Sequence, residues 1–286
     1  MPSPYLIVLS EVDPIARAVA ERWGTPEATE WHVDGAPIRK LTPEAWTLRR
    51  SGPHIRDEHL DRRLPANVRD ERPTLVFPSI HRSERNVECL TVHPLGNPGP
   101  SAEVGGKPRT LVPTDPVRMT SLLRDLHERA RGDACPVTFE ATHHGPELEL
   151  PAFFAEIGFG VAFAPSANAV RILADGLRSI SAEPGDRVAV GIGGGHYVPH
   201  FTDLALRRRW AFGHLVSKHA LVDLARPTAV EAIAKTPGAE GFLFARAEDA
   251  RHPALDAVAP RLRDGDSPPR VVNGRSTGAS RSASGT

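Results

Sequence analysis

Strands alternating with helices along the chain predict an α/β fold: a mixed, partly parallel central sheet with helices on both faces. Three observations carry this. A short apolar run, Tyr5–Leu9, leads directly into a helix start at Asp13-Pro14. Amphipathic stretches, Val117–Arg131 and Ser166–Ile180, lie between apolar β-rich runs. A later apolar run, Arg187–Ile192, ends abruptly in Gly193-Gly194-Gly195.

Taken in order, Tyr5–Leu9 is the opening strand. Asp13 then serves as N-cap with Pro14 at the first helical position, Ile15, Ala18, Val19 and Trp23 follow at helical spacing, and Gly24 stops the helix. Thr29–Val33 and Ile38–Leu41 flank Asp34-Gly35, a hairpin signal. Residues 42–72 are rich in charge, Pro and His and read as loop with one short helix. Thr74–Phe77 is a strand that Pro78 stops, and Cys89–Val92 is another. Pro94 to Pro108 is a Gly/Pro-dense loop. Leu122, Leu123, Leu126 and Ala130 mark the helix that Gly132 ends, and Val137–Ala141 and Ala152–Ile157 read as buried strands. After the 166–180 helix and the 187–192 strand come helical pieces at Phe201–Leu206, Ala220–Leu224 and Ala229–Ala234, then a last strand at Gly241–Ala245. From Asp264 to Thr286 the chain is Ser, Gly, Pro and Arg without periodicity. Such a segment lacks apolar surface to bury, so the expectation is one α/β domain over residues 1–263 and a disordered tail over 264–286.

The 286 residues carry 35 Lys+Arg against 35 Asp+Glu, for a formal net charge of zero. That balance excludes a surface that is wholly a basic footprint for nucleic acid and leaves room only for a local patch. Cys89 and Cys135 form no CxxC pair, which excludes a thiolate zinc site or a disulfide framework. The first residues lack a basic leader region, and no run approaches the roughly 18 apolar residues of a membrane span. The expectation is a soluble cytoplasmic monomer with no membrane association and no obligate protein partner. Thirteen histidines are many for this length, so they are where chemistry is sought.

The densest cluster is Glu140-Ala141-Thr142-His143-His144-Gly145-Pro146, at the end of an apolar strand. Adjacent side chains of a strand diverge, so one imidazole would face a pocket while the other turns away, unless the bend at the strand end brings both to one site. Strand ends are where open α/β sheets hold ligands. The alternative is a packed or capping histidine pair. Glu156 sits in an apolar strand and needs a metal, a His or an Arg as partner, because an unpaired buried charge is costly. In Gly191–His200 the glycines let the backbone approach a ligand and can form an anion nest, with His196 well placed to face the pocket; the alternative is a tight Gly-rich turn. The G-x-G-x-x-G spacing fails, so this is no dinucleotide fingerprint. His93 stands at a strand end; His214 and Lys218, four apart, would share a face if helical. His32, His54, His59 and His252 read as ordinary polar residues. Imidazole and carboxylate donors together suit Zn²⁺. Absence of H-E-x-x-H excludes a zincin, and absence of G-x-S-x-G argues against a serine α/β-hydrolase.

These pieces, in order, resemble one family. His93-Pro94-Leu95-Gly96-Asn97, Glu140–Pro146, Glu156-Ile157-Gly158 and Gly193-Gly194-Gly195-His196-Tyr197-Val198-Pro199 are similar to the archaeal and plant type of D-aminoacyl-tRNA deacylase. His81-Arg82-Ser83-Glu84, Gly105-Gly106-Lys107-Pro108 and Gly213-His214 with Lys218 fit the same pattern. The apolar Phe159–Pro165 stretch and His200 depart from it. The resemblance implies a phosphorylase- and peptidyl-tRNA-hydrolase-like α/β core and zinc-dependent, cytoplasmic hydrolysis of the ester between a D-amino acid and tRNA, a chiral proofreading reaction. On that reading Zn²⁺ is held by members of His93, His143, His144, Glu156 and His196. Glu140, with His143, His144 and His196, serves the catalysis as base or as the group orienting a ligand histidine. Gly193, Gly194, Gly195, Tyr197 and Lys218 bind substrate. Arg207, Arg208 and Arg209, beside Trp210, are the expected tRNA patch, with a solvated helix face as the alternative. Two competing classes remain: a metal-dependent hydrolase or phosphorylase of a small nucleoside- or amide-like molecule, and a non-catalytic binding module.

Overall fold

The computed structural model describes residues 3–82, 87–133, 135–159, 164–182 and 185–264. In chain order the strands are β1 (Tyr5–Ser10), β2 (Glu27–Val33), β3 (Ala36–Lys40), β4 (Ala45–Arg50), β5 (Thr74–Arg82), β6 (Cys89–Pro94), β7 (Gly96–Asn97), β8 (Thr110–Leu111), β9 (Val137–Phe139), β10 (Ala152–Phe159), β11 (Arg187–Ile192), β12 (Trp210–Val216), β13 (Ala239–Phe244) and β14 (Arg261–Leu262). The helices are α1 (Pro14–Trp23), α2 (Ala66–Asp70), α3 (Pro116–Arg129), α4 (Ala167–Leu177), α5 (Pro199–Arg208), α6 (Lys218–Leu221) and α7 (Arg226–Ala234).

The central sheet has eight strands in the order β2-β3-β4-β1-β5-β10-β6-β9. β4, β1, β5 and β10 run parallel, as do β6 and β9, while β6 is antiparallel to β10 and the β2–β3 hairpin is antiparallel to β4. A second, fully parallel sheet of four strands, β12-β11-β13-β14, packs beside it. Phe139 and Leu122 from the first part and Ala189, Phe212 and Leu243 from the second share one apolar core. Period-2 alternation divides each central strand. On β1, Tyr5, Ile7 and Leu9 face α1, α3 and α4, whereas Leu6 and Val8 face the segment carrying Leu60, Leu64 and Val68. Asp13 caps α1 by accepting from the amides of Ile15 and Ala16, as its position before Pro14 implies.

Three expectations need correction. Pro78 does not stop β5, which continues to Arg82. Residues 42–72 contain β4, a central strand paired along its length with β1, as well as α2 and two single 3-10 turns. Its Trp46 and Leu48 are buried, but the flanking charges mask the period. The segment around His214 is strand β12, so His214 and Lys218 do not share a helical face. The Gly193–Gly195 loop leads into α5, which contains the expected helical piece at Phe201–Leu206 and has Pro199 in its first turn, where no amide donor is required. The 265–286 tail, residues 83–86 (with Ser83 and Glu84 of the His81-Arg82-Ser83-Glu84 motif) and residues 160–163 of the apolar stretch lie outside the described residues. No helix among the described residues is long and apolar enough to cross a membrane.

Candidate active site

Three adjacent strands lay same-face rows side by side. Phe154, Glu156 and Gly158 alternate along β10; antiparallel pairing sets His93, Thr91 and Cys89 of β6 against them, and parallel pairing brings Phe77, Ser79 and His81 of β5 alongside. His93 and Glu156 are therefore neighbours by register, as are Glu156 and His81. Gly158 is required here: a Cβ at that position would lie 2.6 Å from Cys89 Sγ and 3.1 Å from the His81 ring. Phe154 forms the floor, stacking on His93 at a 5.2 Å centroid distance and meeting His144 edge-on at 4.8 Å.

The second wall is the segment after β9. Glu140 bridges to Tyr197, the Ala141 amide donates to the His196 carbonyl, and His143 bridges to Leu95. Of the two arrangements open to adjacent His143 and His144, the structure has the bent one: His144 takes a left-handed φ of 43° and turns the chain. Both rings then lie in one cluster, 4.4 Å apart, with His93 4.0 Å from His143. The turn is clamped by Gly145, where a Cβ would stand 2.3 Å from the Gly106 amide nitrogen. This close approach gives the Gly105-Gly106 pair its purpose. Glu58 holds the same junction, accepting from the amides of Gly106 and Glu147.

Two buried carboxylates organise the charge. Glu140 Oε2 lies 2.8 Å from His196 Nε2 and 3.8 Å from His143 Nε2, and its Oε1 lies 3.4 Å from His81 Nδ1. Glu156 Oε2 lies 3.5 Å from His81 Nδ1 and 3.8 Å from His93 Nε2. Burial opposes ionisation of Glu156, but His81 and His93 outweigh it and hold its pKa down to about 2. The same opposition, with His196 foremost among the favourable neighbours, keeps Glu140 below the ordinary carboxylate value. His93 and His81 respond in reverse: burial disfavours their charge, yet the two carboxylates raise both. His143 and His144 are pushed down by burial and by the other imidazoles, His144 to about 4, so both are neutral near pH 7.

Backbone carbonyls fix the tautomers. His93 Nδ1 meets the Pro94 carbonyl at 3.2 Å, His143 Nδ1 that of Ala141 at 2.8 Å, and His144 Nδ1 that of Gly145 at 2.7 Å. A carbonyl only accepts, so each Nδ1 carries the hydrogen. In the neutral rings Nε2 is then an unprotonated lone pair, the form a metal requires. His93 Nε2 and both Glu140 oxygens are buried without a regular hydrogen bond. Three donor groups have ligand atoms within 4.8 Å of one another: His93, His143 and His144; His81, Glu140 and His196; and His93, Glu140 and Glu156. The residues present fit a Zn²⁺-type cation.

A cavity of about 730 Å³ opens on this centre at the carboxyl ends of the parallel strands, where α/β sheets hold ligands. His81, His143, His144 and Glu156 line it, with Asp13, His54, Ser79 and Val104. His93, Glu140, His143, His144, Glu156 and His196 thus come together as the sequence implies. His81, absent from the sequence-based ligand set, belongs with them, and its Nε2 lies 2.9 Å from the Tyr197 hydroxyl. Its place in the His81-Arg82-Ser83-Glu84 motif was the available signal. His54 is not an ordinary surface residue: it is buried beneath the pocket, with Nε2 donating to the Pro78 carbonyl. His214 is not brought to the site. It is fully buried in β12, 3.2 Å from Thr142 Oγ1. Tyr197, expected among the substrate-binding residues, has its hydroxyl on His81. Gly193 spends its amide on the Val216 carbonyl, leaving Gly194 and Gly195 as the loop's available donors. Lys218 is exposed, its amide bonded to the Gly194 carbonyl. Arg207 and Arg209 pair with Asp203 and Asp186, and the side chain of Arg208 is outside the described set. They precede Trp210, which pairs with Arg187 at the start of β11, whereas Gly193 follows the end of β11. Ten residues of α5 separate the two ends, about 15 Å at 1.5 Å per residue.

An open, mixed α/β sheet with an imidazole–carboxylate centre at its strand ends defines an α/β protein built around a ligand or metal site. Comparison with known proteins narrows this. Residues 69–258 match the D-aminoacyl-tRNA deacylase family, so the chain belongs to that family. A D-aminoacyl-tRNA deacylase of Thermoplasma volcanium is 35% identical over 192 residues, covering 67% of this chain and 74% of the relative. One from Pyrococcus abyssi is 34% identical over 210 residues, covering 72% and 76%. A crystal structure of a conserved protein of unknown function superposes with a TM-score of 0.76 at 29% identity, over 89% of this chain and 90% of that one.

Proposed function

We propose that this chain hydrolyses the ester joining a D-amino acid to the terminal ribose of tRNA, releasing free tRNA and the D-amino acid. The observation that carries the proposal is the buried Glu140–Glu156 pair ringed by His81, His93, His143, His144 and His196, in a chain of the deacylase family. Residues 1–263 form the catalytic domain of a cytoplasmic monomer on this reading. Members of His93, His143, His144 and Glu156 would hold Zn²⁺, with His81, Glu140 and His196 beside them. When bound, the ion supplies Lewis acidity to the ester.

An aminoacyl ester is already activated, so the chain must chiefly deliver a water and manage one proton. His196 directs Nε2 at Glu140, 2.8 Å away, and its side chain is 46% exposed, the most open of the cluster. With the hydrogen on Nε2, facing the carboxylate, Nδ1 is the nitrogen left to accept a proton. It takes the proton as the water oxygen bonds to the carbonyl carbon, and Glu140 stabilises the imidazolium formed. When the bond between carbonyl carbon and ribose oxygen breaks, Nδ1 returns that proton to the leaving oxygen. The amides of Gly194 and Gly195 adjoin His196 and receive developing negative charge on the carbonyl oxygen. Choice of D over L comes from a wall that the L side chain meets and the D side chain avoids.

The test is turnover of D- and L-aminoacyl-tRNA before and after chelation, with zinc restored. The expected outcome is D-selective hydrolysis, lost on chelation and recovered with zinc. Equal hydrolysis of both enantiomers sinks the substrate assignment. Chelator-insensitive D-selective activity sinks the metal alone.

A further inference from the structure

A polyanion must approach a pocket whose floor holds two carboxylates, on a protein with no net charge to attract it. Many arginines among the described residues are already neutralised: Arg207 by Asp203, Arg209 by Asp186, and Arg62 and Arg69 by Glu149. Arg17, Arg49 and Arg56 differ. Each is exposed, and none makes an ion pair or side-chain hydrogen bond among the described residues. Arg17 lies three residues along α1 from Pro14, which lines the active-site cavity, so the two share a helix face. Arg56 follows Ile55, another lining residue. Arg49, one residue before the end of β4, is in register with Leu9 of β1 and lines a second depression of about 540 Å³, together with Arg39 and Arg50.

The two depressions share one rim. Ser10, Val12 and Pro53 border the first, while Glu11 and Ser51 border the second. The rim is tied by Ser10 Oγ donating to the Gly52 carbonyl and the Glu11 amide to that of Arg50, both at 2.8 Å. Of the acids lining the second depression, Asp34 is engaged by Arg50 and Arg63, which leaves Glu11 as the opposing charge. Apolar side chains stand among the arginines: Val12 and Val104, on the cavity wall, are 61% and 48% exposed. Cations spaced along a groove with apolar faces between them suit a single strand of nucleic acid, whose phosphates pair with arginine and whose bases rest on apolar surface.

We propose that the surface from Arg17 and Arg56 to Arg49, continuing the active-site cavity across the ends of β1 and β4, is the path of the single-stranded 3′ end of tRNA. The proposal deepens the deacylase reading and rests on it for the identity of the strand. The Arg207–Arg209 run ends α5, at the other end of β11 from the Gly193–Gly195 loop, and takes no part.

The test compares the full chain with a triple variant, Arg17→Ala, Arg49→Ala and Arg56→Ala, and with an equal-charge control, Arg62→Ala, Arg69→Ala and Arg72→Ala. Deacylated tRNA binding is followed by fluorescence anisotropy across a salt series, and KM and kcat are measured with D-aminoacyl-tRNA. The expected result is a loss of affinity of about tenfold or more in the first variant. The slope of log affinity against log salt should flatten by about two, at ~0.7 for each single-strand phosphate that an arginine no longer neutralises. KM should rise with kcat nearly constant, and the control should stay close to the parent. Equal losses in both variants, no loss in the first, or loss only on replacing Arg207–Arg209 overturns the proposal. A parent that binds tRNA through these arginines but hydrolyses no D-aminoacyl ester refutes the reaction and supports the path. A deacylase whose KM ignores the triple substitution refutes the path and leaves the reaction standing.

Discussion

His214 gives a quantitative test of which histidines belong to the site. It is fully buried in β12; burial first, and the positive Lys235 second, push its pKa from 6.5 down to about 3. The unfolded chain gains a proton at His214 as the pH falls through about 6.5, while the folded chain does not. Stability from this residue is therefore complete above that pH and declines as the pH drops towards the folded value. Between about pH 7.5 and 5.5 the unfolded imidazole goes from roughly one-tenth to nine-tenths protonated, which costs the folded state about 1.4 kcal/mol. Urea unfolding of the parent and of His214→Gln at the two pH values isolates this term, since the other titrating groups cancel in the difference. The parent should lose about 1.4 kcal/mol more than the variant over that interval. If the variant does not fold, the His214 ring resonances of the parent serve instead and should not titrate above about pH 4. A His214 that titrates near its ordinary value, or equal pH slopes for the two proteins, refutes the reasoning.

Other outcomes follow from the same geometry. Glu156→Gln removes the carboxylate facing His81 and His93, and should destabilise the metal-free chain by roughly 3 kcal/mol in urea titrations while lowering zinc bound per chain. Tyr197→Phe deletes the hydroxyl that orients His81 through Nε2; zinc affinity in a chelator competition should fall about tenfold, with KM for aminoacyl-tRNA little changed. Gly145→Ala drives a Cβ into the Gly106 backbone and should cost roughly 1–3 kcal/mol in thermal unfolding while displacing His144. His196→Gln should retain zinc yet lose kcat by about a hundredfold or more; full activity would remove His196 as the base.

Much of the fold was legible because local rules and tertiary outcome agreed. Asp13-Pro14 is a cap and first turn wherever it occurs, and α1 begins there. Asp34-Gly35 closes the β2–β3 hairpin for the same local reason. β4 was hidden because the charges of Arg49 and Arg50 end a strand whose burial depends on pairing with β1, remote in sequence, as well as with the preceding strand β3. β5 runs through Pro78 because β1 pairs with it only as far as Val76; the Pro78 nitrogen faces that vacated side, where no amide donor is needed, while β10 holds the other side to Arg82.

The sequence by itself determined the residue types of the centre: buried-strand glutamates that demand partners, and histidines at strand ends beside glycine. Only the tertiary structure decided which of them meet. The positive φ of His144 turned a divergent pair into a convergent one, pairing of β5 with β10 delivered His81, and β12 carried His214 into the core. The physical reason is that side-chain identity sets what a group needs once buried, whereas strand register and a single turn set what it is buried against. The same division holds for charge, where equal counts of cations and acids gave no field, and ion pairing in space decided which arginines stand unpaired beside the pocket.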